Sequence, residues 1–199
     1  MTVIFFIKSS TIDISKYTIK DIPGSSGRLD VISRCVLAAL LGNDYFDNDI
    51  QIYLFLDRYG NFILESENFD FDSFPKNEVL FTDYFVDLLQ NNHIRNNQHL
   101  NPLNQVKSSN ISMIEAIRHF QNLKFSIFIL KEGGNDFLNL RKTIRKMENI
   151  LFILGSQEDE FLDSKEILDL NLPIISFGNQ SYLASSVIRL LKLHLLRLP

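Results

Sequence analysis

The chain has a single cysteine, Cys35, and no tryptophan in 199 residues. One thiol cannot close a disulfide within the chain, so nothing in the cysteine usage points to an oxidising compartment. No apolar run reaches the roughly 18 residues that a membrane helix needs. The apolar stretch 1–7 lacks a basic start and is too short for a secretory leader. These absences lead to the expectation of a soluble, intracellular, cytoplasmic protein. An excess of basic charge is missing too: 20 Lys and Arg stand against 24 Asp and Glu, for a net charge of -4. Non-specific nucleic-acid binding rests on neutralising phosphates, which an acidic chain does poorly. A local basic groove remains open to it, from the run Arg141, Lys142, Arg145 and Lys146 or the pair Arg28 and Arg34. Such a run is more often a solvated helix face.

Familiar catalytic patterns are also missing. There is no GxxxxGK phosphate loop, no HExxH and no cysteine pair at zinc spacing. The four histidines, His93, His99, His119 and His194, have no nucleophile paired with them, so triad chemistry has no support and no metal is expected. Cys35 sits in the apolar pattern Val31, Ile32, Cys35, Val36, Ala39, which reads as a buried structural thiol.

What is present builds a core. Hydrophobic residues make up 45% of the chain, enough for one domain over residues 1–199. Strand-like runs fall at 3–8, 50–56, 62–64, 125–130, 150–154 and 173–177. Helical spacing falls at 28–41, 78–90, 111–120, 137–147 and 160–170, and a long apolar helix closes the chain. Ser25 or Ser26 is a candidate cap for the first of these helices, and Asp30 and Arg34 are spaced for a surface ion pair. Residues 9–22 and 68–75 read as loop, and 91–110, rich in asparagine, as a loop or partner-facing insertion. The alternation of strand and helix predicts an α/β fold, a mostly parallel sheet with helices on both faces. The last helix carries Leu183, Val187, Ile188, Leu190, Leu191, Leu193, Leu195, Leu196 and Leu198, which cover more than half its circumference. It is either a central packing helix or one that also forms a homodimer interface.

Three of the strand-like runs end in glycine turns, at Lys131-Glu132-Gly133-Gly134, at Gly155-Ser156-Gln157 and at Gly178-Asn179-Gln180-Ser181-Tyr182. Ligands in open α/β sheets sit beyond the carboxyl ends of the strands, and glycine lets a ligand approach the backbone closely. The joint pattern therefore points to one small-molecule site made by three loops.

The segment Ile22-Pro-Gly-Ser-Ser-Gly-Arg-Leu-Asp-Val31, followed by Ser33-Arg-Cys35, resembles the N-terminal signature of the archaeal tRNA pseudouridine N1-methyltransferases (the TrmY type), members of the SPOUT class. Leu130-Lys-Glu-Gly-Gly134, Phe152-Ile-Leu-Gly155 and Ser176-Phe-Gly178 with Ser181-Tyr-Leu-Ala-Ser185 look like that family's three cofactor loops. The resemblance is weakest over about residues 65–115, a divergent middle segment. It implies a SPOUT-type fold whose C-terminal segment is threaded into a deep trefoil knot. It also implies a homodimer, S-adenosyl-L-methionine as cofactor and methyl transfer to N1 of a pseudouridine in the tRNA T-loop. Leu130, Gly133, Leu154, Gly155, Ser176, Gly178, Tyr182, Leu183 and Ala184 would line the cofactor pocket. Arg28 would contact phosphate, and Asp30 would orient or deprotonate the base.

The chain departs from the family where Ser156-Gln157-Glu158-Asp159 replaces the usual Asp-His-x-Gly, and where Val187 stands in place of a common cysteine. These departures leave two alternatives: a degenerate SPOUT homodimer that binds RNA or protein without methyl transfer, or a SPOUT methyltransferase acting on ribosomal RNA.

Overall fold

The computed structural model describes residues 1–91, 101–155, 160–178 and 180–197. Among them seven strands form one sheet: β1 (Thr2–Ser9), β2 (Ile50–Leu56), β3 (Gly60–Glu65), β4 (Lys107–Ser109), β5 (Ser126–Asp136), β6 (Asn149–Leu154) and β7 (Ile174–Ser176). Their order is β4-β3-β2-β1-β6-β5-β7. β1 lies parallel to β2 and β6, and β5 parallel to β6 and β7. β2, β3 and β4 are antiparallel neighbours. The central strands are buried on both faces, which is why β1 and β6 read as unbroken apolar runs rather than as alternations.

The helices are α1 (Ile22–Ser25), α2 (Leu29–Leu40), α3 (Glu78–Asn91), α4 (Met113–Asn122), α5 (Phe137–Ile144), α6 (Lys165–Leu168) and α7 (Ala184–Lys192). A π-helical turn, Leu193–Arg197, prolongs α7. α2, α3, α5 and α7 cover one face of the sheet, packing on Phe5, Ile52, Leu54 and Phe152. α4 and α6 cover the other, packing on Ile4, Phe6, Leu151 and Ile153. In a chain without tryptophan, phenylalanine supplies the large rings of the core. Phe6 meets Tyr53, Phe55 and Phe120 with ring centroids 5.0, 5.1 and 5.7 Å apart, a spacing at which rings attract beyond their buried area. None of the helices in the described residues is long and apolar enough to cross a membrane.

The structure differs from the sequence expectation in three places. Residues 107–109 form β4 inside the segment expected to be loop; residues 92–100 of that segment lie outside the described residues. Lys-Ser-Ser has no strand pattern, and it pairs because β3 offers an otherwise open edge. The expected single helix at 160–170 is a 3₁₀ turn, Glu160–Asp163, followed by the short α6. Ser164 separates them and its hydroxyl caps the second. The turn cluster at 23–27 begins as the helical turn α1, where the Asp21 carboxylate accepts from the Gly24 N–H at 3.1 Å and Pro23 occupies the first turn.

The closing helix has one buried stripe, Ser185, Ile188, Leu191, Lys192 and Leu195. It is a packing helix, with Leu183 and Leu193 left 45% and 41% exposed.

Candidate functional site

Beyond the carboxyl ends of β5, β6 and β7 the chain leaves a cleft of about 390 Å³, within the size range of small-molecule sites. Leu130 of β5, Leu154 with Gly155 after β6, and Ser176 with Gly178 at β7 contribute to its wall. Tyr182, Leu183 and Ala184 close it as the chain enters α7. Eight of the nine expected pocket residues are thus brought together.

Gly133 is the exception, and the reason lies in the strand. Leu130 and Asn135 both sit opposite Ile175, so residues 131–134 bulge out of β5. Leu130, Lys131 and Glu132 face the cleft, whereas Gly133, at φ +77°, turns the bulge in open space. Gly134 fills the tight position instead: a Cβ there would lie 2.8 Å from the Ile174 and Ile175 backbone. The Ser176 hydroxyl donates to the Gly134 carbonyl at 3.0 Å, tying the first loop to the third.

The cleft combines two surfaces. Leu130, Leu154, Ile175 and Val187 give it apolar walls. Val187 stands where the resemblance placed the family's cysteine, and it does face the cleft. Ser181–Leu183 lines the cleft without regular secondary structure. Gly178 holds φ +90° with no atom near the position of a Cβ, so its backbone is open to a ligand. Among the described residues Glu132 and Asp163 are the carboxylates in the wall, and Asp163 pairs with Lys131. An apolar slot for a planar ring, exposed backbone for its edges and carboxylates for a cation fit S-adenosylmethionine. Residues 156–159 and Asn179, parts of the second and third loops, lie outside the described residues.

The Arg28–Asp30 pair sits at the start of α2. Gly27 is required there: at φ +59° its Cβ would stand 1.9 Å from the Thr11 carbonyl oxygen. Arg28 follows in the left-handed region at φ 69°. Of the two candidate caps, Ser26 acts, its hydroxyl accepting from the Leu29 N–H at 3.1 Å. Ser25 instead donates to the Asp21 carbonyl at 2.5 Å.

Asp30 is not on the surface. It is 2% exposed, accepting from Arg28 Nε at 3.0 Å, Arg28 Nη2 at 3.2 Å and Arg34 Nη2 at 2.6 Å. The expected surface ion pair is therefore a buried one, because α3 packs over this part of α2. Both Asp30 oxygens are held by guanidinium groups, so Asp30 anchors Arg28. Arg28 keeps 46% of its side chain exposed. It lies one helical turn from Val31, which lines the cleft.

At the other end of the same helices is a group that sequence reasoning missed. The Lys192 ammonium, buried in the α7 stripe, donates to the carbonyls of Ala38, Ala39 and Leu41 at 2.8, 2.7 and 2.9 Å. It also pairs with Asp47 at 2.7 Å. It thus caps the C-terminus of α2, where carbonyls lack intrahelical donors and favour a cation. Burial pushes Lys192 below its ordinary value, against the opposing pull of Asp47. Arg197 holds Asp47 from the far side at 3.1 Å. Cys35, in the middle of α2, is fully buried, and burial pushes its thiol up to about 12. It is a structural thiol, as expected.

A family model described as "Putative SAM-dependent RNA methyltransferase" matches residues 1–198. The chain is 25% identical to the tRNA (pseudouridine(54)-N(1))-methyltransferase of Pyrococcus abyssi, over 98% of both chains. It is 27% identical to the enzyme of the same name from Methanosarcina acetivorans, over 88% of this chain and 81% of that one. Among solved structures, Archaeoglobus fulgidus Nep1 bound to S-adenosylhomocysteine superposes with a TM-score of 0.69 over 99% of this chain and 98% of that one, at 14% identity. The mixed α/β fold of this chain, a seven-stranded sheet with flanking helices, is thus similar to that of Nep1. By a match over nearly its whole length, the chain belongs to this family of S-adenosylmethionine-dependent RNA methyltransferases.

Proposed function

We propose that the chain methylates N1 of a pseudouridine in the T-loop of tRNA. The observation that carries this is the convergence of three strand-end loops and Tyr182–Ala184 on one cleft, in a chain that aligns end to end with a relative named for that reaction. S-adenosylmethionine, when bound, supplies a methyl group already activated on a sulfonium. Transfer of that methyl to N1 would leave S-adenosylhomocysteine, with the N1 proton passing to water. The chain's part is alignment, which can account for much of a rate enhancement. Leu130, Leu154, Gly155, Ser176, Gly178, Tyr182, Leu183 and Ala184 hold the cofactor, with Gly133 allowing the first loop to turn. Arg28 grips a phosphate near the base, and Asp30 fixes the direction in which Arg28 points.

Two further readings belong with this one. The C-terminal segment is threaded as a deep trefoil knot, a reading supported by the bond between Ser176 and Gly134 and by the seating of α7 on α2 through Lys192. The chain works as a homodimer, a reading supported by the exposed leucines Leu183 and Leu193 at the two ends of α7.

Calorimetric titration with S-adenosylmethionine and S-adenosylhomocysteine tests the core of the proposal. Micromolar binding, about -8 kcal/mol, is the expected result, and Gly155→Arg abolishes it by filling the cleft. No binding at millimolar ligand would leave a dimer that binds RNA or protein without methyl transfer. A methyl group found on ribosomal RNA and not on tRNA would move the substrate, not the chemistry.

A further inference from the structure

A second cleft, of about 700 Å³, opens along the same two helices. The first takes Val31 from α2 and Val187 from α7. The second takes Arg34 from α2 and Arg189 from α7, with Arg197 beyond, and Lys76 and Glu78 close it where α3 begins. One to two helical turns separate the two, on the order of 5–10 Å. One RNA hairpin can reach both.

The charge of this wall is at odds with the rest of the molecule. The chain carries a net -4, yet Arg34, Lys76, Arg189, Lys192 and Arg197 line this cleft against one carboxylate, Glu78. Three of the cations are answered from behind. Lys192 and Arg197 share Asp47, and Arg34 is divided between Asp30 and Glu78. Even so, the buried Nε of Arg34 has no hydrogen-bond partner. The remaining two have no ion pair within 4 Å among the described residues, although Asp70 lies near enough to Lys76 to feel its charge. Lys76 stands 4.3 Å over the Phe71 ring, and the Arg189 guanidinium has no ion-pair or hydrogen-bond partner among the described residues.

An ammonium and a guanidinium lining one open cleft suit phosphate oxygens. We propose that the second cleft grips the phosphate backbone of the RNA whose target base lies at the first. The inference rests on the reading of RNA as substrate. It adds that Arg189 and Lys76, neither in the cofactor cleft, supply an electrostatic hold on RNA beyond that of Arg28.

The test uses the full chain with Arg189→Gln, Lys76→Gln and the double variant, all at exposed positions that leave packing intact. A fluorescent tRNA T-arm RNA, synthesised with pseudouridine in its T-loop, is titrated across a salt series, with S-adenosylhomocysteine affinity and sedimentation measured alongside. The expected result is RNA binding weakened about 3- to 10-fold per variant. The slope of log K against log salt falls by about 0.7–0.9 for each phosphate that is no longer neutralised, while cofactor affinity and oligomeric state are unaltered. An unchanged RNA affinity and slope would overturn the proposal and leave the methyltransferase reading standing. A shift in oligomeric state would overturn it in favour of a second copy of the chain in the cleft. RNA that is held with the expected slope but never methylated would sink the substrate reading and support the cleft.

Discussion

The two ends of the seam between α2 and α7 are built on opposite principles. At the first end, near Val31 and Ala184, the chain leaves a cleft with backbone in irregular conformation and a glycine at φ +90°. At the far end, near Ala38 and Lys192, it buries a charge and satisfies it fully with three carbonyls and a carboxylate. A segment that must present open backbone to a ligand has few partners of its own and has to be fixed elsewhere. The Lys192 bonds are what fix it. Stability and cofactor binding are thus concentrated at opposite ends of one helix, and variants can tell them apart.

The largest effect belongs to the closed end. Lys192→Met keeps the length of the side chain but leaves three carbonyls and Asp47 without the ammonium. Breaking a buried pair from one side costs about 3–5 kcal/mol. Urea unfolding should show that loss, with cofactor affinity falling only as far as folded protein is lost. A variant of near-normal stability that lost cofactor binding would reverse the assignment of the two ends. Asp30→Ala comes next, at roughly 2–3 kcal/mol, because Arg34 keeps a partly buried guanidinium without its closest partner. Here stability and function should both move. Methyl transfer to RNA should fall as Arg28 loses its anchor, whereas Arg28→Ala should lower transfer with little change in unfolding. Equal transfer by both variants and the wild type would remove the Arg28–Asp30 pair from the reaction.

At the open end the order of effects inverts. Gly178→Val meets no neighbouring atom, but the backbone at φ +90° resists a β-branched side chain, a strain of about 1–2 kcal/mol. Its effect on S-adenosylhomocysteine affinity should be far larger, about tenfold or more, since the side chain enters the cleft. Calorimetry beside urea unfolding gives both numbers. A stability loss with intact affinity would mean that this loop is structural.

The same contrast decides what the sequence could disclose. β1, β2, β5 and β6 were legible because strands buried on both faces must be apolar at every position. The cleft was legible because ligand approach favours glycine at strand ends, and of the nine expected residues Gly133 alone lies off its wall, where a bulge in β5 shifts the facing residues by a few positions. The Lys192 cap on α2 was not legible at all. Lys192 in an apolar helix reads as a solvated residue, and only the arrival of the α2 terminus beside it turns it into a cap. Asp30 was half-legible: its spacing to Arg34 announced the pair, but its burial comes from α3, distant in sequence. β4 was invisible because pairing to an open edge needs no side-chain pattern.

The smallest effect lies midway along the seam, at Cys35, and it is a matter of pH. The thiol is held up to about 12 by burial, whereas in the unfolded chain it titrates near its ordinary value of 9.0. Below pH 9 both states keep the proton and the group contributes nothing to the slope. Above it the unfolded chain releases a proton that the folded chain retains, so stability falls with pH, by about 1.4 kcal/mol per unit at most. Lys192 runs the other way. Its folded value is depressed, so below its ordinary value the unfolded chain binds more protons and stability rises with pH. At about pH 10 the wild type should therefore lose roughly 1 kcal/mol through Cys35, offset in part by Lys192. Cys35→Ala is less stable at neutral pH for want of the sulfur's packing, but its decline between about pH 9 and 10 should be shallower than the wild type's, since Tyr17 and Tyr53, also raised by burial, still pull stability down there. If wild type and variant declined in parallel, the thiol would be open to solvent in the folded protein, and the seam between the two ends would be looser than its packing indicates.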